Sequence, residues 1–288
     1  GPEGHNPPPS NHEMHFIITH QAFELWFKQI NCELEEALKL MNVPEVDEKN
    51  IPVIVGHLER CAEIFRLLAS QWKVMETLAP QDFLAFRDRL GTSSGFESWQ
   101  MRTLEMLMGL KPEQRIGGMD PMKHNKKLHS EGKLSDSVME DITRIDNLPS
   151  LNDVLQRWLE RTPVNGVSGD EKVLSEFVKG HLQAMSEHAE SVISHMVKIG
   201  HGEEEKIRPR MESGINSARE FLLPDGKVSH ARAGLLFIES YRELPLLSWP
   251  RRLIDTVVEL EESMLLFRSH HARMVERMIG RRMGTGGS

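Results

Sequence analysis

The sequence predicts an all-α protein, and three observations support that prediction. Apolar residues recur every three or four positions over most of the 288 residues. Helix-starting signals precede several of these runs, and no stretch shows the alternation typical of a β-strand. We therefore expect a helical bundle built as a single domain, 1–288, whose middle part, about 111–225, is a variable insertion.

Composition excludes several classes of protein. With 35 Lys and Arg against 43 Asp and Glu, the formal charge is −8, which argues against general nucleic-acid binding. No apolar run approaches the roughly 18–20 residues of a membrane helix. The two cysteines, Cys32 and Cys61, form no disulfide framework. The N-terminal residues show no signal-peptide pattern, so we expect a cytoplasmic protein.

The first helix begins after a proline-rich stretch. Ser10 and Glu13 have the spacing of a capping box. Seven residues at helical spacing follow and predict one buried face: Phe16, His20, Phe23, Phe27, Ile30, Leu34 and Met41.

Two further helices are expected before the middle of the chain. After a break at 42–52, apolar residues from Leu58 to Met75 alternate at three and four positions and predict a long packed helix. Pro80 suits the first position of a short helix carrying Phe83 and Arg87. A second capping box, at 94–97, is expected to open the next helix.

The polar stretch 111–147 predicts a loop with short turns, and 200–210 predicts a charged connection. Helices are expected at 150–161, 168–199, 229–243 and 250–279.

Two histidines occupy core positions of otherwise apolar helix faces. His20 lies in the first helix and His271 in the last. Burying an imidazole costs free energy unless its nitrogens find partners. Each could be a core histidine bonded to a backbone carbonyl. Alternatively, the pair could mark a pocket between helices, with one imidazole on a metal and the other facing a ligand.

Arg87 follows Phe83 by four residues, so both side chains project from one helix face. The guanidinium is either a surface group or a clamp for a carboxylate at the rim of an apolar pocket. Two other patterns are rejected. The Gly-Thr-Ser-Ser-Gly sequence at 91–95 lacks the preceding strand of a nucleophile elbow. Histidines at 181, 188 and 195 lie two turns apart and cannot share one ion.

Three segments resemble, in order, signatures of the tryptophan 2,3-dioxygenase family. Residues 12–29, HEMHFIITHQAFELWFKQ, resemble its N-terminal signature. Residues 83–98, FLAFRDRLGTSSGFES, are similar to its substrate-clamp segment. Residues 268–288, RSHHARMVERMIGRRMGTGGS, are similar to its proximal-haem segment. The middle of the chain matches only faintly.

The resemblance implies an all-helical homotetramer, a dimer of dimers, in which each subunit holds one haem b between helices. His271 would be the axial ligand of the haem iron, and Ser94 and Gly95 would lie near the haem edge. The partners would be tryptophan and O₂. The reaction would insert both oxygen atoms across the indole C2–C3 bond to give N-formylkynurenine.

The resemblance also assigns residues to the substrate. His20 would accept a hydrogen bond from the indole N–H and act as a positioning group. Phe16 and Phe83 would pack beside the indole ring, while Arg87 would clamp the carboxylate and Thr285 would hold the amino-acid end. These residue types match tryptophan, which joins a flat apolar ring with one N–H donor to a zwitterion.

This sequence departs from the family pattern at several positions. Phe267 stands where tryptophan is usual, and His270 where another residue, often Arg, is usual. Thr92 and Glu97 also differ, and the chain as given lacks the family's N-terminal aromatic segment and C-terminal extension. The departures around the distal pocket motivate the first of two alternatives. One is a monooxygenase that forms a 2-oxindole from a substituted tryptophan in natural-product biosynthesis, and the other is a non-catalytic haem sensor.

Overall fold

The computed structural model describes residues 8–90, 97–115 and 118–280. These residues form eleven α-helices, short 3₁₀ turns and an isolated bridge between Val164 and Val167, with no β-strand among them. The helices are α1 (Asn11–Met41), α2 (Ile51–Met75), α3 (Pro80–Arg87), α4 (Trp99–Met108), α5 (Pro121–Ser130), α6 (Asp136–Asp146), α7 (Leu151–Glu160), α8 (Glu171–Lys198), α9 (Glu204–Leu222), α10 (His230–Ser240) and α11 (Ser248–Ile279). The all-α prediction is confirmed.

The chain packs into two compact units. One contains the chain up to Val154 and from Arg252 onward, and the other contains Leu155–Arg251. In the first unit, α1 packs against α2 and α4, and α4 also contacts α5 and α6. In the second unit, α8 packs against α9 and α10.

Helix α1 begins where the sequence predicts. The Ser10 hydroxyl accepts a hydrogen bond from the Glu13 amide at 3.1 Å, which satisfies one of the unpaired donors at the helix start. The Glu13 carboxylate pairs with Arg89 at 3.0 Å. On the predicted face, the five residues from Phe23 to Met41 are buried, whereas Phe16 and His20 are half-buried.

Helices α2 and α3 also match the prediction, but the start of α4 does not match the predicted capping box. The residues predicted as the core face of α2 are all buried, and Pro80 opens α3. The Ser98 hydroxyl caps α4 by accepting from the Met101 amide at 3.2 Å. Ser94 lies outside the described residues, and α4 begins at Trp99 rather than after residue 94.

The prediction of a loop over 111–147 is wrong, because this stretch contains α5 and α6. Each helix has a local start signal that the polar composition obscures. Asp120 caps α5 and Pro121 occupies its first turn, while Ser135 caps α6. Each helix also buries apolar side chains, namely Leu128 in α5 and Ile142 and Ile145 in α6.

The charged connection predicted over 200–210 is also wrong over most of its length. Helix α9 begins at Glu204 and includes Pro209. The helices predicted at 150–161, 168–199, 229–243 and 250–279 are confirmed as α7, α8, α10 and α11, with small shifts at their ends. A search of the described residues finds no helix with the length and apolar character that a bilayer crossing demands.

Candidate functional site

An aromatic cluster surrounds His20 in the first unit. The ring of Phe16, one turn earlier on α1, lies 4.2 Å from the His20 ring between centroids. Phe83 and Phe86 of α3 lie 5.6 and 5.7 Å from Phe16. The distances define an apolar wall beside a single imidazole, which suits a flat aromatic ligand.

The hydrogen bond of His20 determines which ring nitrogen can accept. Its Nδ1 lies 2.8 Å from the carbonyl oxygen of Phe16. A carbonyl can only accept, so Nδ1 carries the proton and Nε2 of the neutral ring keeps its lone pair. Burial lowers the pKa of His20, although the bond to Phe16 and the charge of Glu24 oppose that shift. His20 is therefore a neutral hydrogen-bond acceptor at neutral pH.

His271 of α11 differs from His20 in its surroundings. Its ring stacks on the indole of Trp72, and no described residue forms a hydrogen bond with it. Although the residue keeps solvent-accessible surface, burial of the ring lowers the pKa of His271 to about 4, with a smaller contribution from His20. A neutral imidazole that has one unprotonated ring nitrogen free of hydrogen bonds is the form that binds a metal ion.

The structure distinguishes the two interpretations of each histidine, a core residue bonded to a backbone carbonyl or a residue of a ligand pocket. His20 is bonded to a backbone carbonyl, as in the simpler interpretation, yet it also faces the aromatic cluster. His271 has no such carbonyl among the described residues and is open at the surface, so it is not an ordinary core histidine.

Trp72 of α2 connects the two histidines, a role that the sequence did not indicate. Its indole ring lies 6.4 Å from the His20 ring and 4.6 Å from the His271 ring between centroids. The side chain is buried, but its Nε1 has no hydrogen-bond partner in the described part of the chain. The sequence signal that could have identified Trp72 is a tryptophan on an apolar helix face, because its N–H needs a partner.

The other predicted site residues divide into two groups. Phe83 is buried in the aromatic cluster, and Arg87 lies one turn later on the same helix, half-buried, as the spacing predicts. Ser94, Gly95 and Thr285 lie outside the described residues.

Two surface cavities lie apart from the histidine pair. One, of about 430 Å³, is lined by Asn11, His12, Met14, His15, Ile18, Thr77 and Leu78. The other, of about 600 Å³, is lined by Glu97, Trp99, Leu128, Lys133, Leu134, Ser135 and Val138. No cluster of three or more His, Cys, Asp or Glu side chains that could hold a metal ion occurs in the ranges described.

This geometry defines a helical protein in which an aromatic cluster surrounds one neutral imidazole and a second neutral imidazole stacks on Trp72. A model of the tryptophan 2,3-dioxygenase family matches residues 4–288. The chain therefore belongs to the tryptophan 2,3-dioxygenase family, as the three sequence segments predict.

Individual relatives agree with the family match. The chain is similar to the tryptophan 2,3-dioxygenase of Sorangium cellulosum, with 38% identity over 96% of this chain and 70% of the relative. It is 38% identical to tryptophan 2,3-dioxygenase 2 of Ralstonia nicotianae over 100% of this chain and 81% of the relative. The tryptophan 2,3-dioxygenase of Aedes aegypti is 35% identical over 96% of this chain and 71% of the relative.

Proposed function

We propose that this protein is a haem-dependent tryptophan 2,3-dioxygenase. It inserts both atoms of O₂ across the indole C2–C3 bond of tryptophan and releases N-formylkynurenine. The observation that carries the proposal is that His20 and His271 both neighbour Trp72, in a chain of this family. One imidazole is a hydrogen-bond acceptor and the other is suited to a metal.

The residues present fit a haem b group. His271 would hold the haem iron through its neutral imidazole. The unpartnered N–H of Trp72 and the surrounding aromatic side chains suit a large flat group that carries polar substituents. By the family resemblance, Ser94 and Gly95 would lie near the haem edge. When bound, the haem supplies the activation of O₂.

The side chains of the protein bind and orient the amino acid. His20 accepts a hydrogen bond from the indole N–H through Nε2. Phe16 and Phe83 pack beside the indole ring. Arg87 pairs with the substrate carboxylate, and Thr285 holds the amino-acid end. The N–H and the carboxylate lie at opposite ends of tryptophan, so the two contacts fix its orientation and present C2 and C3.

His20 acts as a positioning group and not as a strong base. Its lowered pKa makes the neutral imidazole a weak proton acceptor, which suits holding the indole N–H but not removing its proton. The aromatic side chains around it exclude water from the face of the indole ring.

The number of oxygen atoms in the product tests the proposal. The reduced, haem-loaded protein is incubated with tryptophan and ¹⁸O₂, and the molecular mass of the product is measured by mass spectrometry. We expect two labelled oxygen atoms in a ring-opened product. One labelled atom in a 2-oxindole would identify the monooxygenase alternative instead, and reversible O₂ binding without turnover would identify a haem sensor. The family match favours neither alternative.

We also infer the assembly and organisation of the protein. The family resemblance supports a homotetramer, a dimer of dimers, which light scattering of the purified protein tests. The family match spans both compact units, which supports a single domain with about 111–225 as its variable insertion. Two free cysteines, Cys32 and Cys61, suit a reducing, cytoplasmic location.

A further inference from the structure

A buried carboxylate on α4 is shared by three arginines. Glu105 is 2% exposed. Its Oε2 lies 3.1 Å from Nη1 of Arg102 on the same helix and also contacts Nη1 of Arg115. Its Oε1 accepts from Nη2 of Arg268, which comes from α11. The Glu105 carboxylate therefore joins α4 to the helix that carries His271.

The cluster holds one negative charge, on Glu105, and three positive charges, on the arginines that pair with it. Burial lowers the pKa of both Arg102 and Arg115, and repulsion from Arg268 acts in the same direction. Glu105 offsets the cost of holding these guanidinium groups together. If Arg268 were removed, Arg102 and Arg115 would still neutralise the charge of Glu105. The contact with α11 can therefore be tested without leaving a buried charge unpaired.

Arg268 and its neighbours hold the helical turn that presents His271. His271 lies three positions after Arg268, which is less than one turn and about 4.5 Å along the axis. Phe267 lies 5.7 Å from Trp72 between ring centroids. His270 donates from Nδ1 to the carbonyl of Ala69 on α2 at 2.9 Å. Within five consecutive residues, α11 is therefore attached to α2 by His270 and to α4 by Arg268.

We propose that Glu105 is a positioning residue that acts through Arg268. Rotation of α11 about its axis would break the contact between Glu105 and Arg268 and would also turn the His271 ring away from Trp72. The contact therefore fixes the direction of the His271 imidazole. This inference rests on the proposed function, since it concerns His271 as the ligand of haem iron.

The test compares two arginines of the same helix. Arg252 also joins α11 to another helix, because its Nε donates to Glu59 of α2 at 3.0 Å. The side chains of Arg252 and Arg268 are 41% and 35% exposed. Arg268→Met removes the contact near His271, and Arg252→Met is the matched control far from it. Both proteins are loaded with haem and reduced.

The readouts are the iron–histidine stretching band in resonance Raman spectra, the rate of haem loss to an acceptor protein, and the thermal midpoint. We expect Arg268→Met to shift or broaden the iron–histidine band and to speed haem loss about tenfold, corresponding to about 1.4 kcal/mol. Arg252→Met should lower the thermal midpoint but keep both haem readouts at wild-type values. Wild-type haem readouts in Arg268→Met, or equal changes in both variants, would overturn the inference.

A second variant keeps the inference testable in case Arg268→Met does not fold. Arg268→Lys keeps a cation on α11 but loses the planar guanidinium group. We expect a smaller shift of the iron–histidine band in the same direction, and an unchanged band would overturn the inference. Failure of the proposed function looks different, because the wild-type protein would then take up no haem or would show no iron–histidine band.

Discussion

The imidazole of His271 stacks on the indole of Trp72, with ring centroids 4.6 Å apart and planes 17° apart. His20 meets the same indole at 72°, with centroids 6.4 Å apart. Trp72 is therefore a common neighbour of both histidines, and α1, α2 and α11 meet around it.

Trp72→Phe tests whether the indole ring or its N–H matters for the fold. We expect the haem-free variant to unfold close to wild type in urea, because phenylalanine keeps an aromatic face and removes a buried N–H that has no partner in the described residues. Trp72→Ala should lose about 3–5 kcal/mol of unfolding free energy, because it leaves a cavity. Equal losses in the two variants would mean that the N–H is bonded in the folded protein.

His271→Ala and His20→Ala should differ in haem content. His271→Ala should lose most of the bound haem, because it removes the proposed ligand of the haem iron. His20→Ala should keep the haem and lose mainly rate, because it removes the proposed acceptor for the indole N–H, which is Nε2 of His20. Absorption spectra of the purified proteins, scaled to protein concentration, measure both. Equal haem loss would show that the ligand is wrongly assigned.

Arg87→Ala should raise KM for tryptophan by about 10- to 100-fold, since a charge-assisted hydrogen bond contributes about 1.5–3 kcal/mol. Arg87→Lys should give an intermediate KM, because it keeps the charge but not the two-pronged contact. Steady-state kinetics with tryptophan measure both variants. An unchanged KM in Arg87→Ala would remove this residue from the substrate site.

Tryptophan binding should weaken only in acid. Protonation of His20 would remove the lone pair on Nε2 that accepts the indole N–H. Because burial lowers the pKa of His20 from its ordinary 6.5, the acceptor is present above that lowered value and is lost as the pH falls through it. Titrations of haem-loaded protein with tryptophan should give constant affinity from pH 8 down to about 6.5. The control ligand, 1-methyltryptophan, has no N–H and should lack the acidic loss. An affinity that already falls above pH 6.5 would contradict this role of His20.

A buried carboxylate on α1 predicts how stability changes in acid. Burial alone would raise the pKa of Glu33, but hydrogen bonds from Arg60, His57 and Gln29 outweigh it and hold the pKa below its ordinary 4.5. The ionised group therefore stabilises the fold above that ordinary value, and this contribution is lost as the pH falls through the lowered value.

Glu33→Gln should reduce the dependence of the unfolding free energy on pH in that acidic window, as measured by urea unfolding. The control is Glu36→Gln on the same helix, which removes an exposed pair with Lys39 at 3.7 Å and should leave the dependence unchanged. If the unfolding free energies of wild type and Glu33→Gln changed with pH in parallel, Glu33 would have the same pKa in the folded and unfolded states.

Much of the fold could be predicted from local signals. The cap at Ser10, the proline at position 80 and the apolar faces of α1 and α2 lie where the sequence places them. Helices α5, α6 and α9 were missed because their polar composition dominated the interpretation, although Asp120 and Ser135 are good N-caps.

The sequence by itself determined the all-α class, the family, and the choice of His20, His271, Phe83 and Arg87 as candidate site residues. Helical periodicity and capping are local, so spacing along the chain is enough for the fold class and the candidate residues, whereas the family follows from the resemblance of three segments. Only the tertiary structure decided that Trp72 neighbours both histidines and that Glu105 meets Arg268, 163 residues away in sequence. Periodicity defines which face of a helix is buried but not which helix packs against it, so contacts between distant segments follow only from the packed chain.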